Sequence, residues 1–209
     1  MSVSCRDKPV QPENFAFSPE NLEKANAFIA RYPKGRQASA VMALLDLAQR
    51  QEGWLPRAAM DHVAAMLDMA RVRVYEIATF YSMYKLEPVG RYHLQICTNL
   101  PCMLRGSQEI VDAAEQELGV RLGESTEDGL FTLSEVECLG ACANAPVIWI
   151  GDHYYEDLDT RTVLDLIRAL KRGETPDPGS RKGRQGACPE GGPTSLADLE
   201  QGGGAGDAS

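Results

Sequence analysis

The sequence has no apolar run that approaches the roughly 20 residues needed to cross a membrane as a helix. Its first residues also lack the apolar stretch of a secretory signal, and Asp7 and Glu13 disfavour an organelle transit peptide. Basic residues are fewer than acidic ones, 21 against 30, which argues against a nucleic-acid-binding surface. We therefore expect a cytoplasmic protein that reaches a membrane only through a partner.

The common glycine-rich phosphate-binding motifs are also absent. No Gly-x-Gly-x-x-Gly follows a predicted strand, and there is no P-loop. No nucleophile, base and orienting residue form a convincing set, and the three histidines, His62, His93 and His153, are scattered. We therefore expect neither a nucleotide site nor a catalytic site in this chain.

Composition divides the chain into four predicted segments. Residues 1–17 are polar and form a flexible lead, and residues 18–90 form a helical bundle. Residues 91–173 mix strands with helices in an α/β domain, so the fold class is α+β. Residues 174–209 are rich in glycine, proline and polar residues, which predicts a disordered tail.

Apolar residues at helical spacing predict four helices in the bundle. Ser18 followed by proline is a good start for the first helix, and Gly53 is a good end for the second, which begins near Ala38. The third helix follows Pro56, and the fourth covers about 71–84. Short links between the helices are typical of a small bundle.

The later segment alternates strands and helices in the order β-α-β-β-β-α. Period-two patterns predict strands at 93–98 and within 129–138, and a hairpin joins 146–150 to 153–156. One helix is capped by Ser107 and closed by Gly119, and a last helix starts at Asp159 or Thr160.

Four of the six cysteines form two pairs at the ends of predicted strands. Four residues separate Cys97 from Cys102, and three separate Cys138 from Cys142. Both pairs are expected in loops, which can curl so that two thiolates face one centre. Gly140 is small, so its backbone N–H can approach a cysteine sulfur and tune a bound cluster.

Three chemistries compete for these cysteines. Zinc prefers four ligands at spacings near C-x₂₋₄-C, which the first pair meets at the margin. Disulfides are disfavoured in a reducing compartment. A four-cysteine iron–sulfur cluster that carries single electrons fits best, and the lack of nearby histidine excludes a Rieske centre. The spacing matches neither the plant-type nor the bacterial ferredoxin run, so spacing alone leaves zinc open.

The residues around the cysteines carry a specific resemblance. The segments Cys97-Thr-Asn-Leu-Pro-Cys-Met-Leu-Arg-Gly106 and Glu137-Cys-Leu-Gly-Ala-Cys-Ala-Asn-Ala-Pro146 are similar to the family of small 2Fe–2S subunits in the NADH dehydrogenase module of respiratory complex I. The resemblance covers about residues 15–170. Further matching segments are 35–40, 78–81, 86–88 and 154–158.

The resemblance implies a thioredoxin-like 2Fe–2S domain behind an N-terminal helical bundle, with Cys97, Cys102, Cys138 and Cys142 as the ligands of one cluster. It implies an electron-transfer subunit of proton-translocating NADH:quinone oxidoreductase, on the cytoplasmic side of the inner membrane through the complex. FMN and NADH would be bound by a partner subunit, among further iron–sulfur subunits. The stretch 98–100 departs from the small or hydroxyl residues usual in the family, which affects hydrogen bonding near the cluster.

Two alternatives stay open. The equivalent subunit of an NAD-linked hydrogenase or formate dehydrogenase resembles this chain as well. A stand-alone thioredoxin-like ferredoxin is disfavoured, because it needs no helical extension such as 18–90. Outside the resemblance, Cys5 and Cys188 are expected to be free thiols, and the run Arg181-Lys-Gly-Arg184 is expected to be solvated.

Overall fold

The structure is a computed structural model that describes residues 10–189, 191–192 and 194–195. Cys5 and the first nine residues of the predicted lead lie outside the described residues. The chain divides between Val89 and Gly90 into two compact units. Over the described part of the chain, no helix combines the length and apolar character that a membrane span requires.

The first unit contains the four predicted helices. They are α1 (Pro19–Ala30), α2 (Val41–Glu52), α3 (Arg57–Met66) and α4 (Arg71–Phe80). A 3₁₀ turn, Gln37–Ala40, leads into α2. Their apolar faces meet in one core, which includes Leu44, Leu45, Leu55, Val63 and Val74.

The ends of these helices follow local chemistry. The Ser18 side chain accepts a hydrogen bond from the Asn21 N–H, as expected of an N-cap, and Gly53 ends α2 in the left-handed conformation at φ 80°. Helix α4 ends four residues earlier than predicted. The chain becomes extended at Tyr81 and then buries Tyr84, whose hydroxyl donates to the Met42 carbonyl oxygen at 2.9 Å.

The second unit is a six-stranded sheet in the order β2-β3-β1-β4-β5-β6. Strands β1 and β3 are parallel, as are β5 and β6, and the other neighbours are antiparallel. The strands are β1 (Tyr92–Cys97), β2 (Glu124–Ser125), β3 (Phe131–Val136), β4 (Ile148–Ile150), β5 (His153–Glu156) and β6 (Gly179–Ser180). The helices are α5 (Leu100–Leu104), α6 (Ser107–Leu118) and α7 (Thr160–Lys171).

Most predicted elements of this unit are present. The β4–β5 hairpin is confirmed, and Asp159 caps α7 through a capping box with Thr162. Gly119 ends α6 in the left-handed conformation, but the N-cap is Gly106 and not Ser107, which is already the first helical residue. Three short elements, α5, β2 and β6, were not predicted, because two to five residues carry too little periodicity.

A close backbone approach joins the start of the sheet unit to β3. A Cβ at Gly90 would lie 2.6 Å from the carbonyl carbon of Phe131, which is too close for any other residue without a shift. The Gly90 N–H donates to the Thr132 hydroxyl oxygen at 2.6 Å. The absence of a side chain at Gly90 therefore allows the chain to enter β1 directly beside β3.

Where the structure describes it, the segment after α7 differs from the prediction of a disordered tail over 174–209; residues 190, 193 and 196–209 of that prediction lie outside the described residues. Strand β6 pairs with β5, with Gly179 opposite Tyr155. The Arg181 guanidinium lies 5.0 Å from the centre of the Tyr155 ring, and Arg184 forms an ion pair with Asp157. Composition suggested disorder because few residues there are apolar, but the ordering comes from pairing at the sheet edge and from arginine contacts.

Candidate metal centre

The first cysteine pair lies at the end of β1. Cys97 is the last residue of the strand, and Cys102 lies within α5 and not in the predicted loop. Asn99 starts this short helix, since its side-chain oxygen accepts from the Leu100 N–H at 3.0 Å. Cys97 and Cys102 are each only 2% exposed. Strand and helix thus hold two buried thiols at fixed positions.

The second pair lies in the turn after β3. The sulfurs of Cys138 and Cys142 are 3.4 Å apart, and both residues are exposed. Gly140 adopts φ 79°, and its N–H donates to the Cys138 sulfur at 3.4 Å. The expectation that a glycine N–H would approach a cysteine sulfur is therefore met in this turn.

The parallel pairing of β1 with β3 brings the two pairs to one end of the sheet. Cys97 lies opposite Val136 in this register, so Cys138 follows only two residues beyond the partner of Cys97. The two cysteine pairs therefore lie at the same end of the sheet.

The thiols differ in acidity because their surroundings differ. Burial, together with the hydrogen bond to Cys97, raises the pKa of Cys102 to about 12. The Gly140 N–H and the Cys142 thiol lower the pKa of Cys138. The hydrogen bond with Cys138 raises the pKa of Cys142. Compared with Cys102 and Cys142, Cys138 therefore more readily becomes a thiolate, the form that binds metal.

The donor set suits a binuclear cluster. All four cysteines are free thiols, as is the half-buried Cys188. Within residues 10–189, 191–192 and 194–195, no three or more His, Cys, Asp or Glu side chains are grouped to hold one metal ion. A 2Fe–2S cluster takes two thiolates on each of two irons, and the two cysteine pairs at one end of the sheet can supply them.

Two side chains between the first cysteines bind carboxylates near the second pair. The Thr98 hydroxyl donates to Glu135, and the Asn99 amide donates to Glu137 at 2.7 Å. These bonds connect the two cysteine-bearing segments. Sequence reasoning noted the unusual stretch 98–100 but missed its partners, which lie 37 and 38 residues away.

An exposed apolar patch, the α5 patch, lies beside the buried pair. Leu100, Met103 and Leu104 are 58%, 54% and 74% exposed. They share the five-residue helix with Cys102. Leu100, Met103 and Leu104 lie within two residues of Cys102, which was a usable sequence signal. The structure shows that these apolar side chains are exposed, and exposed apolar side chains that lie together indicate a contact surface.

The family model of the thioredoxin-like 2Fe–2S ferredoxins matches residues 25–171. Among curated proteins, the chain is 57% identical over 159 residues to the E subunit of the NADH-quinone oxidoreductase of Rickettsia conorii, covering 76% of this chain and 95% of the relative. The corresponding protein of Rickettsia felis, which has the same name, is 54% identical over 155 residues, covering 74% and 93%.

Among solved structures, the chain resembles part of an air-oxidised NAD⁺-reducing NiFe hydrogenase. The TM-score is 0.55 at 18% sequence identity, and the match covers 62% of this chain and 23% of the hydrogenase chain. The H₂-reduced state of that hydrogenase gives a TM-score of 0.56 over 64% of this chain and 23% of its own. This likeness concerns the fold.

Proposed function

The chain belongs to the thioredoxin-like 2Fe–2S ferredoxin family, and we propose that it is the electron-transfer subunit of an NADH:quinone oxidoreductase. We propose Cys97, Cys102, Cys138 and Cys142 as the ligands of one 2Fe–2S cluster. When bound, such a cluster takes up and releases one electron at a time. The chain contributes no catalytic site in this proposal.

One observation carries the proposal. Four free thiols, in two pairs, lie at the same end of a thioredoxin-like sheet in a chain that covers 93–95% of the length of two NADH-quinone oxidoreductase relatives. The alternative hydrogenase parent complex has only a fold likeness in its favour, at 18% identity. The NADH:quinone oxidoreductase is therefore the better supported assignment.

The residues of the site perform three tasks in this function. Burial of Cys97 and Cys102 keeps water from one side of the centre. Exposure of Cys138 and Cys142 leaves the other side open. The Gly140 N–H, directed at the Cys138 sulfur, favours added negative charge and so eases acceptance of an electron.

A partner must approach the site for electrons to pass. The relatives are named as subunits of a larger enzyme, so a multisubunit complex is the expected setting. We propose that the partner binds FMN and NADH and that further iron–sulfur subunits accompany it. The complex would hold this chain on the cytoplasmic side of the inner membrane. The α5 patch, beside Cys102, is the apolar surface best placed for this partner.

The test is anaerobic purification of the chain from its own cells. Iron and acid-labile sulfide in equal amounts, with an electron paramagnetic resonance (EPR) signal on reduction, support the cluster. Co-purification with a membrane-derived complex that has NADH:quinone reductase activity supports the proposed parent enzyme. Co-purification with a soluble hydrogenase or formate dehydrogenase would show that the chain belongs to that enzyme instead. Zinc without sulfide would contradict the proposal.

A further inference from the structure

The segment after the family match contains a buried arginine. The match ends at residue 171, and the side chain of Arg184 is only 11% exposed. Its guanidinium forms an ion pair with Asp157, which is 3% exposed and follows β5 directly. A charge buried to this degree requires specific partners. The segment around Arg184 is therefore ordered by defined contacts, and the expectation that Arg181-Lys-Gly-Arg184 is a solvated stretch is wrong for Arg184.

Arg184 reaches from the sheet edge to the second cysteine pair. Its Nε donates to Asp157 Oδ2 at 3.0 Å, and an Nη donates to the Ala143 carbonyl oxygen at 2.8 Å. Ala143 follows Cys142 directly in the 3₁₀ turn Cys142–Asn144. One planar guanidinium therefore connects a buried carboxylate to the backbone of the cysteine turn.

The same turn is held at its next residue. Asn144 is 3% exposed, and its side-chain amide donates to the Gly186 carbonyl oxygen at 2.7 Å and to Glu156 Oε2 at 2.8 Å. The Asn144 carbonyl oxygen accepts from the Asp157 N–H at 2.7 Å. The turn after Cys142 is thus fixed between the end of β5 and residues 184–186.

Neighbouring groups fix the position of Arg184. Ser180, in β6, donates its hydroxyl to Asp157 Oδ2 at 2.5 Å and accepts from the Arg184 N–H at 3.2 Å. A second Nη of Arg184 donates to the Cys188 carbonyl oxygen at 2.9 Å. Burial acts to raise the pKa of Asp157, but the hydrogen bonds from Arg184 and Ser180 outweigh it and lower that pKa. The carboxylate therefore stays charged as the anchor of Arg184.

We propose that Arg184 is a positioning residue for the metal centre, which holds the Cys142 turn in place through its bridge from Asp157 to the Ala143 carbonyl oxygen. The inference rests on the proposed function, since it concerns the ligand role of Cys142. It assigns a task to residues 179–188, which lie beyond the part of the chain that the family model matches.

The test compares two substitutions in the full chain. Arg184→Gln removes the positive charge and the branched set of N–H donors of the guanidinium. Arg184→Lys keeps a positive charge for Asp157, but its single ammonium group cannot reach both Asp157 and the Ala143 carbonyl oxygen. Arg172→Gln is the matched control, because it removes an exposed ion pair with Glu174 in the same unit. Each anaerobically purified protein is challenged with an iron chelator, the loss of cluster absorbance is timed, and the EPR line shape and thermal unfolding midpoint are recorded.

We expect Arg184→Gln to lose the cluster about tenfold faster than the wild type, which corresponds to one lost charge-assisted hydrogen bond. Arg184→Lys should recover most of the unfolding midpoint yet lose the cluster at nearly the rate of Arg184→Gln, with a changed EPR line shape. Arg172→Gln should match the wild type. A purely structural role would instead make retention follow the unfolding midpoint.

Several outcomes would overturn the inference. Wild-type retention in Arg184→Gln, or full recovery of both retention and midpoint in Arg184→Lys, shows that the contact with Ala143 does not position the centre. If Arg184→Gln does not fold, the cluster retention and unfolding midpoint of Arg184→Lys, compared with those of the wild type, test the inference on their own. If the wild-type chain contains no iron and sulfide, the proposed function itself is wrong. If the wild type holds a cluster and the variants retain it equally well, only the inference about Arg184 is wrong.

Discussion

Asn99 donates a hydrogen bond of 2.7 Å to Glu137 and so connects the segment between Cys97 and Cys102 to the residue before Cys138. The bond lies at the exposed surface of the unit. It places a carboxylate directly beside a proposed ligand. The Gly140 N–H lowers the pKa of the Cys138 thiol, and the charge of Glu137 acts against this by raising it. The same charge opposes the arrival of an electron at the centre.

Removing this charge should raise the reduction potential. Glu137→Gln retains an acceptor for Asn99 but carries no charge, so the reduced state is less disfavoured. We expect an increase of a few tens of millivolts, as for one charge at close range near a solvated surface. A redox titration followed by EPR measures it. Glu127→Gln, in the turn before β3, is the control, and an equal shift in both variants would refute the local effect.

Serine substitutions should separate ligands from bystanders. Cys→Ser at Cys97, Cys102, Cys138 or Cys142 should reduce the iron and sulfide content of the purified chain, because serine offers no thiolate. Cys188→Ser is the control, since Cys188 contacts Arg184 through its backbone carbonyl, which the substitution retains. Iron and sulfide analysis with visible absorption provides the measurement. A bleached Cys188→Ser variant would show that the proposed ligand set is wrong.

A charge in the α5 patch should weaken partner binding. Leu104 is 74% exposed, so Leu104→Asp should change the folding stability of the isolated chain little. In the complex, the substitution places a carboxylate in the apolar contact between the α5 patch and the partner. We expect the variant to keep its iron and sulfide while losing the co-purifying flavin. Flavin fluorescence of the purified complex measures this. Val72→Asp, at an apolar residue 58% exposed in the first unit, is the control, and undiminished flavin in Leu104→Asp would exclude the patch.

The Asp159 cap of α7 should make the free energy of unfolding depend on pH in the acid range. Hydrogen bonds from the Thr162 N–H and hydroxyl lower the pKa of Asp159, so folding stabilises its charged form. This contribution is present above the unfolded-state pKa of about 3.9 and is lost as the pH falls through the lower folded-state value. Asp159→Ala should reduce the free energy of unfolding by about 1 kcal/mol at pH 7.

Urea unfolding at pH 7 and below pH 3 tests the cap. The difference between wild type and Asp159→Ala should shrink at the lower pH, because the stabilisation by the wild-type carboxylate is lost as the pH falls below the unfolded-state pKa and through the lower folded-state pKa. Asp159→Ser retains a hydroxyl cap that does not titrate, so its stability should stay nearly constant relative to Asp159→Ala. A constant difference between wild type and Asp159→Ala at both pH values would contradict the assigned role.

A methyl group at residue 90 should disturb the sheet. Gly90→Ala forces the new Cβ away from the Phe131 backbone, and we expect a loss of about 1–3 kcal/mol in the free energy of unfolding, as for overpacking. Gly191→Ala is the control, because no atom lies within 4 Å of the position that its Cβ would take. Denaturant unfolding compares them, and equal stability would show that the backbones can separate freely.

Local signals predicted much of this fold. Ser18, Gly53 and Gly119 each act within one helical turn, so the sequence around them contains the relevant chemistry. The cysteine pairs were recognisable for the same reason, because each pair spans a few residues. Which strands pair depends on contacts between distant segments. The parallel register that sets Cys97 opposite Val136 was therefore not predictable from periodicity.

The C-terminal segment shows the limit most clearly. Its composition is typical of disorder, and no local pattern connects Arg184 to Asp157, which lies 27 residues earlier. The ordering arises from the buried Arg184–Asp157 ion pair, from the contacts of Arg181 with Tyr155 and of Asn144 with Gly186, and from strand pairing at the sheet edge. The ion pair depends on where the folded sheet places the Asp157 carboxylate, and the local sequence around Arg184 does not contain that information.

The unequal exposure of the two cysteine pairs determines which thiols a reagent in solution can reach. Cys138 and Cys142 face solvent, while Cys97 and Cys102 are enclosed. A thiol-alkylating reagent added to the folded chain therefore reacts with Cys138 and Cys142 before it reacts with Cys97 and Cys102.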